Sequence, residues 1–254
     1  MVYWMRKGAG VDRYAFESRV RYSECDQTGR LSLVSMVNYL QDCSTFQSEE
    51  FDRGFASLHE HGIAWILANW QIELGELPVL GEKIVISTWC YEMTRSHALR
   101  CFSITNEDGV DVVRADSQWF VFDTKAGHVS RVPDDQRVYL SDCPRADMAP
   151  LDRRMRTEGE GSPCAPFLVR PHHLDTNNHM NNAQYVLLAQ DALEELGCSQ
   201  RPGRISVLYR KMALLGDVIA PVVYRHEGGW DVDLTDGEGA TYALVRFDAR
   251  QEEA

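Results

Sequence analysis

The chain has 254 residues, and 26 Lys and Arg against 38 Asp and Glu give it a formal net charge of −12. Hydrophobic residues make up 44% and charged residues 25%, which is typical of an ordinary globular protein of one or two domains. A chain this acidic is a poor general binder of nucleic acid or anionic membranes, which need a positive face, and it has no apolar run near the roughly 20 residues of a membrane span.

The N-terminal stretch MVYWMRKGAGVDRY has no apolar core followed by small residues. We therefore expect no secretory signal and a cytoplasmic protein. The cysteines are odd in number, widely spaced and without a CxxC pair, so we expect neither a disulfide framework nor a cysteine-based zinc site. We expect them instead to be small buried side chains in a reducing compartment. They are Cys25, Cys43, Cys90, Cys101, Cys143, Cys164 and Cys198.

The first half of the chain predicts a strand, a polar loop, one long helix and then several strands. Residues 14–24 alternate apolar and polar side chains as a strand does, and the loop CDQTGR follows. Apolar residues at helical spacing predict a helix from about Leu33 to Phe51. Later strands are IAWILANWQIEL, KIVISTWCYE, ALRCFSIT and VVRADSQWFVFD, and the turn Asn106–Gly109 joins the last two as a hairpin.

The second half repeats this order of elements. A strand APFLVR and a polar loop PHHLDTNNH precede a helix from about Asn181 to Leu196, which Gly197 stops. The strands that follow are RISVLYRKMA, VIAPVVYRHE, WDVDL and TYALVRFD. Each half thus has one helix with apolar residues on more than a narrow stripe, and a sheet must curl around it to bury it.

The sequence therefore predicts an α+β fold in which an antiparallel sheet wrapped round a central helix occurs twice. A charged, proline-bearing segment without apolar periodicity separates the two copies and is interpreted as a linker. The predicted organisation is an N-terminal domain over residues 1–140, a linker over residues 141–162 and a C-terminal domain over residues 163–254.

The segment His172–Tyr185 concentrates polar chemistry directly before the second helix: three histidines, one carboxylate and four asparagines in fourteen residues. Either of the two consecutive asparagines before the helix can cap it, so the loop would face the positive end of the helix, which stabilises a developing oxyanion. Asp175, Asn177 and His179 stand two apart, so in an extended segment their side chains would share one side. A carboxylate, an amide and an imidazole together could activate water and hold a carbonyl.

Two other interpretations of this loop remain open. The asparagines could simply cap the helix in a polar loop. His172, His173, Asp175 and His179 are also metal-ligand types, although their spacing matches no zinc motif. We expect neither a metal nor a cofactor.

The motif D-x-N-x-H-x-N-N-x-x-Y from Asp175 to Tyr185 resembles the acyl-acyl carrier protein thioesterases, as a bacterial-type relative of the plant fatty acyl-ACP enzymes. The segments YSECDQTGRLS…NYLQD, SQWFVFDTKAGHVSRVP and YRKMALLGD carry the likeness further, from about residue 12 to 250. The resemblance implies a tandem hot-dog fold, with acyl-chain binding in the N-terminal half and the catalytic loop in the C-terminal half. It also implies hydrolysis of fatty acyl-[acyl carrier protein] to a free fatty acid and the carrier thiol.

The resemblance places Asp175, Asn177 and His179 in the catalytic loop. Asp175 would activate or steer the attacking group, Asn177 would hold Asp175 or the thioester carbonyl, and His179 would handle protons. How Asp175 and His179 divide this work stays open. The implied partner is acyl carrier protein with a phosphopantetheine-linked acyl chain, and a homodimer is a further candidate assembly.

One segment departs from the resemblance. In plant members the residues after the helix read roughly Y-R-R-E-C, with the Glu and the Cys implicated in catalysis, whereas here these two positions hold Met212 and Ala213. A cysteine nucleophile is therefore not available there, and we expect direct attack by water. Two alternatives follow: an acyl-CoA thioesterase, or a catalytically degenerate acyl-binding hot-dog protein.

Three further expectations concern the rest of the chain. Glu24 and Asp26 lie in the equivalent loop of the first half, but Arg30 falls near the position of His179, so we expect one active site per chain. An acidic carrier protein needs a local positive patch, for which the candidates are Arg145, Arg153, Arg154, Arg156, Arg204, Arg210 and Lys211. An acyl tunnel, or else plain core, is expected at Ile63–Trp70, Met36, Leu40 and Phe46.

Overall fold

The computed structural model divides the chain into two compact units. Unit 1 contains the described residues up to Trp70 together with Gly75–Leu151, and unit 2 contains Gln71–Leu74 and the described residues from Asp152 onward. The residues that the structure describes are 2–6, 11–198 and 201–250.

The expectation that the N-terminus carries no secretory signal falls partly on residues 1 and 7–10, which lie outside the described residues. It stays a prediction. None of the described helices is long and apolar enough to cross a membrane.

Unit 1 is an antiparallel sheet with one long helix. Its strands are β1 (Val2–Arg6), β2 (Val11–Arg19), β3 (Ile63–Leu74, as far as Trp70), β4 (Lys83–Met93), β5 (Ala98–Thr105), β6 (Asp111–Asp123) and β7 (His128–Ser130). The strand order is β1-β2-β4-β5-β6-β3, and β7 pairs with β6. Neighbours from β1 to β6 in this order pair antiparallel. The helices are α1 (Leu33–Glu50) and α2 (Phe55–His61).

Helix α1 supplies the centre of unit 1. It begins at the N-cap Ser32, whose hydroxyl accepts the Ser35 N–H at 3.2 Å, and it packs on β2 and β4. Its buried side chains lie on more than a narrow stripe, as the sequence predicts for an enclosed helix. They are Leu33, Met36, Val37, Tyr39, Leu40, Cys43 and Gln47.

Unit 2 repeats the arrangement with shorter elements. Its strands are β8 (Ser162–Pro163), β9 (Phe167–Leu168), β10 (Pro202–Tyr209), β11 (Val218–His226), β12 (Gly229–Thr235) and β13 (Thr241–Ala249). They run antiparallel in the order β10-β13-β12-β11-β8, with β9 also on β11. Helix α3 (Asn182–Glu195) packs on β11, β12 and β13. Each unit therefore has the hot-dog arrangement of a sheet packed on a central helix, and the predicted α+β class is confirmed.

Most of the predicted elements are confirmed, but three predicted strands are too long: in APFLVR only Phe167–Leu168 form a strand, and the strand predicted over RISVLYRKMA ends at Tyr209. The strand predicted over residues 14–24 ends at Arg19, and Tyr22–Glu24 form a short 3-10 helix. The reason is local: the Glu24 carboxylate accepts the Arg21 N–H at 2.8 Å and turns the chain. The sequence analysis also missed β1, α2, β7, β8 and two short 3-10 helices, Asp134–Tyr139 and Pro171–His173.

The cysteines are free thiols throughout the described residues. Cys43, Cys90 and Cys101 are fully buried in unit 1, and burial raises the pKa of each thiol. The other four are only half-buried, so the expectation of small buried side chains is confirmed for three.

The segment predicted as a linker is anchored to unit 1 by a buried ion pair. Arg145 Nε donates to Asp116 Oδ2 at 2.7 Å, and the Asp116 side chain is only 1% exposed. Two further nitrogens of Arg145 donate to the carbonyls of Met148 and Ala149, at 2.8 and 2.6 Å. Arg145 therefore ties the segment to the sheet, which makes it a poor candidate for the predicted positive patch.

Arg145→Ala is expected to lower the free energy of unfolding by about 3 kcal/mol, because it leaves a buried carboxylate without its cation. Urea unfolding followed by fluorescence measures this loss. Arg153→Ala, in an exposed arginine of the same segment, is the matched control and should change stability by less than about 0.5 kcal/mol. Equal losses in the two variants would contradict the anchoring role.

Candidate functional site

The polar segment singled out in the sequence forms a closed loop at the start of α3. It follows a short 3-10 helix, Pro171–His173, and an antiparallel bridge between Leu174 and Met180 closes it. Asn178 lies in the left-handed region with φ of 60°. The expectation of an extended segment is therefore wrong: the chain turns back on itself between Asp175 and His179.

The Asp175 carboxylate causes this turn. Its Oδ1 accepts the backbone N–H groups of Asn177 and His179, at 2.8 and 3.2 Å. The N–H of Asp175 in turn donates to the His179 carbonyl at 2.8 Å. In the described chain no hydrogen bond engages Oδ2, so one oxygen holds the loop and the other remains for chemistry.

The three predicted site residues are joined by bonds from the Asp175 carboxylate and backbone to the backbones of Asn177 and His179. Asp175 and His179 are half-buried and Asn177 is exposed. Within the described residues, no hydrogen bond joins the side chains of these three. The loop thus holds the three residues near one another, while the Asn177 amide and the His179 imidazole remain available to a ligand.

The loop ends at the positive pole of α3. Asn181 is the N-cap, and its side-chain oxygen accepts the Ala183 N–H at 2.8 Å. This confirms the predicted asparagine cap. The backbone N–H groups of the first helical turn favour negative charge at this end of α3.

A second segment of unit 2 braces the loop through Ala213. The Ala213 carbonyl accepts the Met180 N–H at 2.9 Å, and its N–H donates to the Tyr185 hydroxyl, also at 2.9 Å. Tyr185 is buried, and burial raises the pKa of its hydroxyl to about 12. The Tyr209 hydroxyl donates to the Asn182 carbonyl at 3.1 Å. The sequence analysis quoted Tyr185 in the motif but missed this bracing role, since it joins residues far apart in the chain.

The two positions that depart from the family pattern differ in exposure. Ala213 is fully buried in the brace, whereas the Met212 side chain is 38% exposed. Neither can act as an acid, a base or a nucleophile, as the sequence indicates.

Unit 1 contains the same loop with other side chains. Asp26 Oδ1 accepts the N–H groups of Thr28 and Arg30, at 2.8 and 3.1 Å, and the Asp26 N–H donates to the Arg30 carbonyl at 2.7 Å. Gly29, with φ of 77°, takes the place of Asn178. Arg30 thus stands where His179 stands in unit 2, which confirms the predicted correspondence.

The two histidines before the loop differ from each other. His172 is exposed, whereas His173 is buried and its Nδ1 accepts the Arg170 N–H at 2.9 Å. Burial lowers the pKa of His173, with smaller contributions from His172 and Arg170. Among the residues the structure describes, no group of three or more His, Cys, Asp or Glu is arranged to hold a metal ion.

Unit 1 also contains a cavity of about 220 Å³ that is lined by the C-terminal end of α1, by β2 and β4, and by residues 138–142. The residues predicted for an acyl tunnel do not line it; Met36 and Leu40 are instead completely buried. Its lining is partly polar and consists of Tyr14, Gln47, Phe51, Thr88, Trp89, Val138, Tyr139, Leu140, Ser141 and Asp142.

Most of the chain matches two models of one family. Residues 12–140 match the acyl-ACP thioesterase N-terminal domain, and residues 158–249 match the acyl-ACP thioesterase C-terminal domain. The chain is 25% identical over 192 residues to a chloroplastic acyl-[acyl-carrier-protein] hydrolase of Cuphea viscosissima, covering 69% of this chain and 45% of that protein. It is also 25% identical over 218 residues to the chloroplastic oleoyl-acyl carrier protein thioesterase 1 of Arabidopsis thaliana, covering 79% and 60%.

The fold is similar to that of an acyl-ACP thioesterase from Bacteroides thetaiotaomicron. The TM-score is 0.81 at 22% identity, over 93% of this chain and 97% of that one. This likeness establishes the fold. The chain spans about half the length of the curated relatives it matches.

Asp175→Ala and Asp175→Asn are expected to differ in their effect on the loop. An asparagine oxygen can still accept the two N–H groups, whereas alanine leaves them without an acceptor. Amide hydrogen exchange at Asn177 and His179 should speed up about tenfold or more in Asp175→Ala, equivalent to roughly 1.5 kcal/mol. In Asp175→Asn it should change much less, and similar exchange in both variants would show that the carboxylate does not hold the turn.

Proposed function

The chain belongs to the acyl-ACP thioesterase family, and from this membership we propose that it hydrolyses fatty acyl-[acyl carrier protein] to a free fatty acid and the carrier thiol. The observation that carries the proposal is the loop in unit 2. There an aspartate fixed by two backbone N–H groups, an exposed amide and an imidazole stand together at the positive end of α3. The matching loop of unit 1 has no asparagine and no histidine, which supports a single active site per chain.

The proposed reaction is direct attack of water on the thioester carbonyl. Asp175 Oδ2 accepts a proton from the attacking water while Oδ1 keeps the loop closed. The oxygen–carbon bond forms, and the negative charge that develops on the carbonyl oxygen is stabilised by the Asn177 amide and the start of α3. As the carbonyl re-forms and the carbon–sulfur bond breaks, His179 delivers a proton to the leaving sulfur, which gives the free acid and the free thiol. The proton that Asp175 took from water then passes to His179, which restores both groups.

The residues after β10 support water rather than a thiol as the nucleophile. The family's Glu and Cys positions hold Met212 and Ala213. The backbone N–H and carbonyl of Ala213 bond to Tyr185 and Met180 and so brace the loop. No covalent acyl-enzyme on this segment is therefore part of the proposal.

The same two residues, Met212 and Ala213, favour a second candidate, an acyl-binding hot-dog protein that has lost efficient turnover. A third candidate keeps the hydrolase and replaces the carrier protein by coenzyme A.

Wild-type protein is expected to release free thiol from acyl-ACP thioesters in a panel that also contains acyl-CoA thioesters. Asp175→Asn should lower kcat at least about 100-fold, because it keeps the loop but removes the base. Asp26→Asn, the same change in the unit 1 loop, is the matched control and should retain turnover. If no thioester is hydrolysed although acyl chains still bind, the result would favour the degenerate acyl-binding protein. If only acyl-CoA thioesters are hydrolysed, the carrier would be coenzyme A and not acyl carrier protein.

A docking surface for the acidic carrier is proposed at Arg210 and Lys211, next to the segment that braces the loop. Arg210 is exposed, and Lys211 Nζ lies 3.0 Å from Asp236 Oδ2. Replacing both residues by Glu is expected to raise KM for acyl-ACP roughly tenfold at low salt, through lost electrostatic attraction. KM for an acyl-CoA and kcat should stay nearly constant. Arg153→Glu with Arg154→Glu is the control, and an unchanged KM for acyl-ACP would remove Arg210 and Lys211 from the docking surface.

The homodimer and the cytoplasmic location expected from the sequence remain predictions.

A further inference from the structure

The turn before each loop has the same hydrogen-bond frame in both units, but the acceptor differs. In unit 1 the Glu24 carboxylate accepts the Arg21 N–H at 2.8 Å, and the Glu24 carbonyl accepts the N–H of the N-cap Ser32 at 2.9 Å. In unit 2 His173 takes both roles. Its Nδ1 accepts the Arg170 N–H and its carbonyl accepts the N–H of the N-cap Asn181, each at 2.9 Å. One residue thus links the entrance of each loop to the start of its helix.

The two acceptors respond differently to protons. An imidazole nitrogen accepts a hydrogen bond only while it carries no proton, so the ring of His173 must be neutral, with its proton on Nε2. An imidazolium would point a second N–H at the Arg170 N–H. The Glu24 side chain accepts the Arg21 N–H through a carboxylate oxygen instead, and a carboxyl group has two oxygens that can accept.

The surroundings of His173 favour the neutral ring. The side chain is 9% exposed and packs on Phe167 of β9 and on His172, with ring centroids at 4.7 and 4.0 Å. The groups that act on it electrostatically are Arg170 and His172, both of which oppose a positive charge. The start of α3 at Asn181 adds the positive end of the helix. A proton would therefore enter this ring mainly when the turn opens.

We propose that His173 is a positioning residue that keeps the catalytic loop of unit 2 closed only while its ring is neutral, so that acid opens this loop and leaves the loop of unit 1 closed. The hydrogen-bond switch stands on the geometry of the turn alone. Its consequence for turnover rests on the proposed function.

The direction of the effect follows from proton linkage. In the opened turn the ring regains an ordinary pKa of about 6.5, whereas burial lowers the pKa of His173 in the closed turn. The open form therefore binds more protons, and protection of the loop falls as the pH drops below 6.5 toward the pKa of the closed turn. The fall is at most about tenfold per pH unit.

Hydrogen exchange tests the switch without any substrate. Protection factors, corrected for intrinsic exchange, would be measured at pH 7.5 and 5.5 for the Asp175 and Asn181 amides, with the Asp26 and Ser32 amides as the internal reference. In wild type we expect protection in unit 2 to fall by up to about tenfold, and that of unit 1 to stay constant. His173→Gln supplies an acceptor that does not titrate in this range and should abolish the fall. His172→Gln, in the exposed neighbour, removes only a smaller contribution to the lowered pKa of His173, since burial is the largest cause, and should keep a fall in the same direction.

A second measurement keeps the proposal falsifiable if His173→Gln folds poorly. Nitrogen-15 chemical shifts of the wild-type histidines should show His173 with a bare Nδ1 and a protonated Nε2 at neutral pH. A protonated Nδ1 would overturn the proposal. So would equal acid loosening of both loops, or an unchanged fall in His173→Gln.

The effect on turnover separates the switch from the proposed activity. If the chain hydrolyses thioesters, the ratio of kcat at pH 5.5 to kcat at pH 7.5 should be higher in His173→Gln than in wild type and His172→Gln. A ratio equal to that of wild type would show that loop closure does not limit the reaction. If no thioester is hydrolysed, the proposed function fails while the exchange and nitrogen-15 results still decide the switch.

Discussion

An aspartate that accepts two backbone N–H groups is the contact on which both polar loops of this chain depend. Asp26 in unit 1 and Asp175 in unit 2 each use one carboxylate oxygen for the N–H groups two and four residues ahead. This closes a tight turn and delivers the chain to an N-cap, Ser32 or Asn181, at the start of the central helix. This contact acts together with the backbone bond from each aspartate N–H to the carbonyl four residues ahead, Arg30 or His179.

Comparison of the two loops distinguishes the residues that the fold requires from the residues that are available for chemistry. Both units keep the aspartate, the left-handed residue and the cap, because each satisfies backbone groups that would otherwise be unpaired at a helix start. The side chains differ at Thr28 against Asn177, where the Thr28 hydroxyl donates to Asp26 Oδ1 at 2.7 Å, and at Arg30 against His179. An internal repeat thus acts as its own control: what both loops share holds the fold, and what only unit 2 has is available for chemistry.

The same comparison explains why one carboxylate can serve two purposes. In unit 2 the bonds of Asp175 to the backbone use Oδ1, which fixes the direction of Oδ2 without adding a second charged group. Ala213 and Tyr185 then hold the far side of the loop through backbone and hydroxyl groups only. Asp175 thus holds the loop through neutral backbone N–H groups, and within the described residues no salt bridge neutralises its charge.

The sequence by itself determined the order of the elements, the repeat, the asparagine cap and the position of the polar loop, because periodicity, capping residues and turn residues are local signals. The sequence also contains a local signal for the closed turn, namely an aspartate two residues before an asparagine pair. The same spacing nevertheless led to the prediction of an extended segment. Only the tertiary structure decided that Ala213 and Tyr185 brace the loop, that Arg145 is bound to Asp116, and that His173 occupies the place of Glu24. The first two depend on contacts between residues 28 and 29 positions apart, which a single sequence does not record. The third depends on the backbone conformation of the turn, since His173 bonds the nearby residues Arg170 and Asn181.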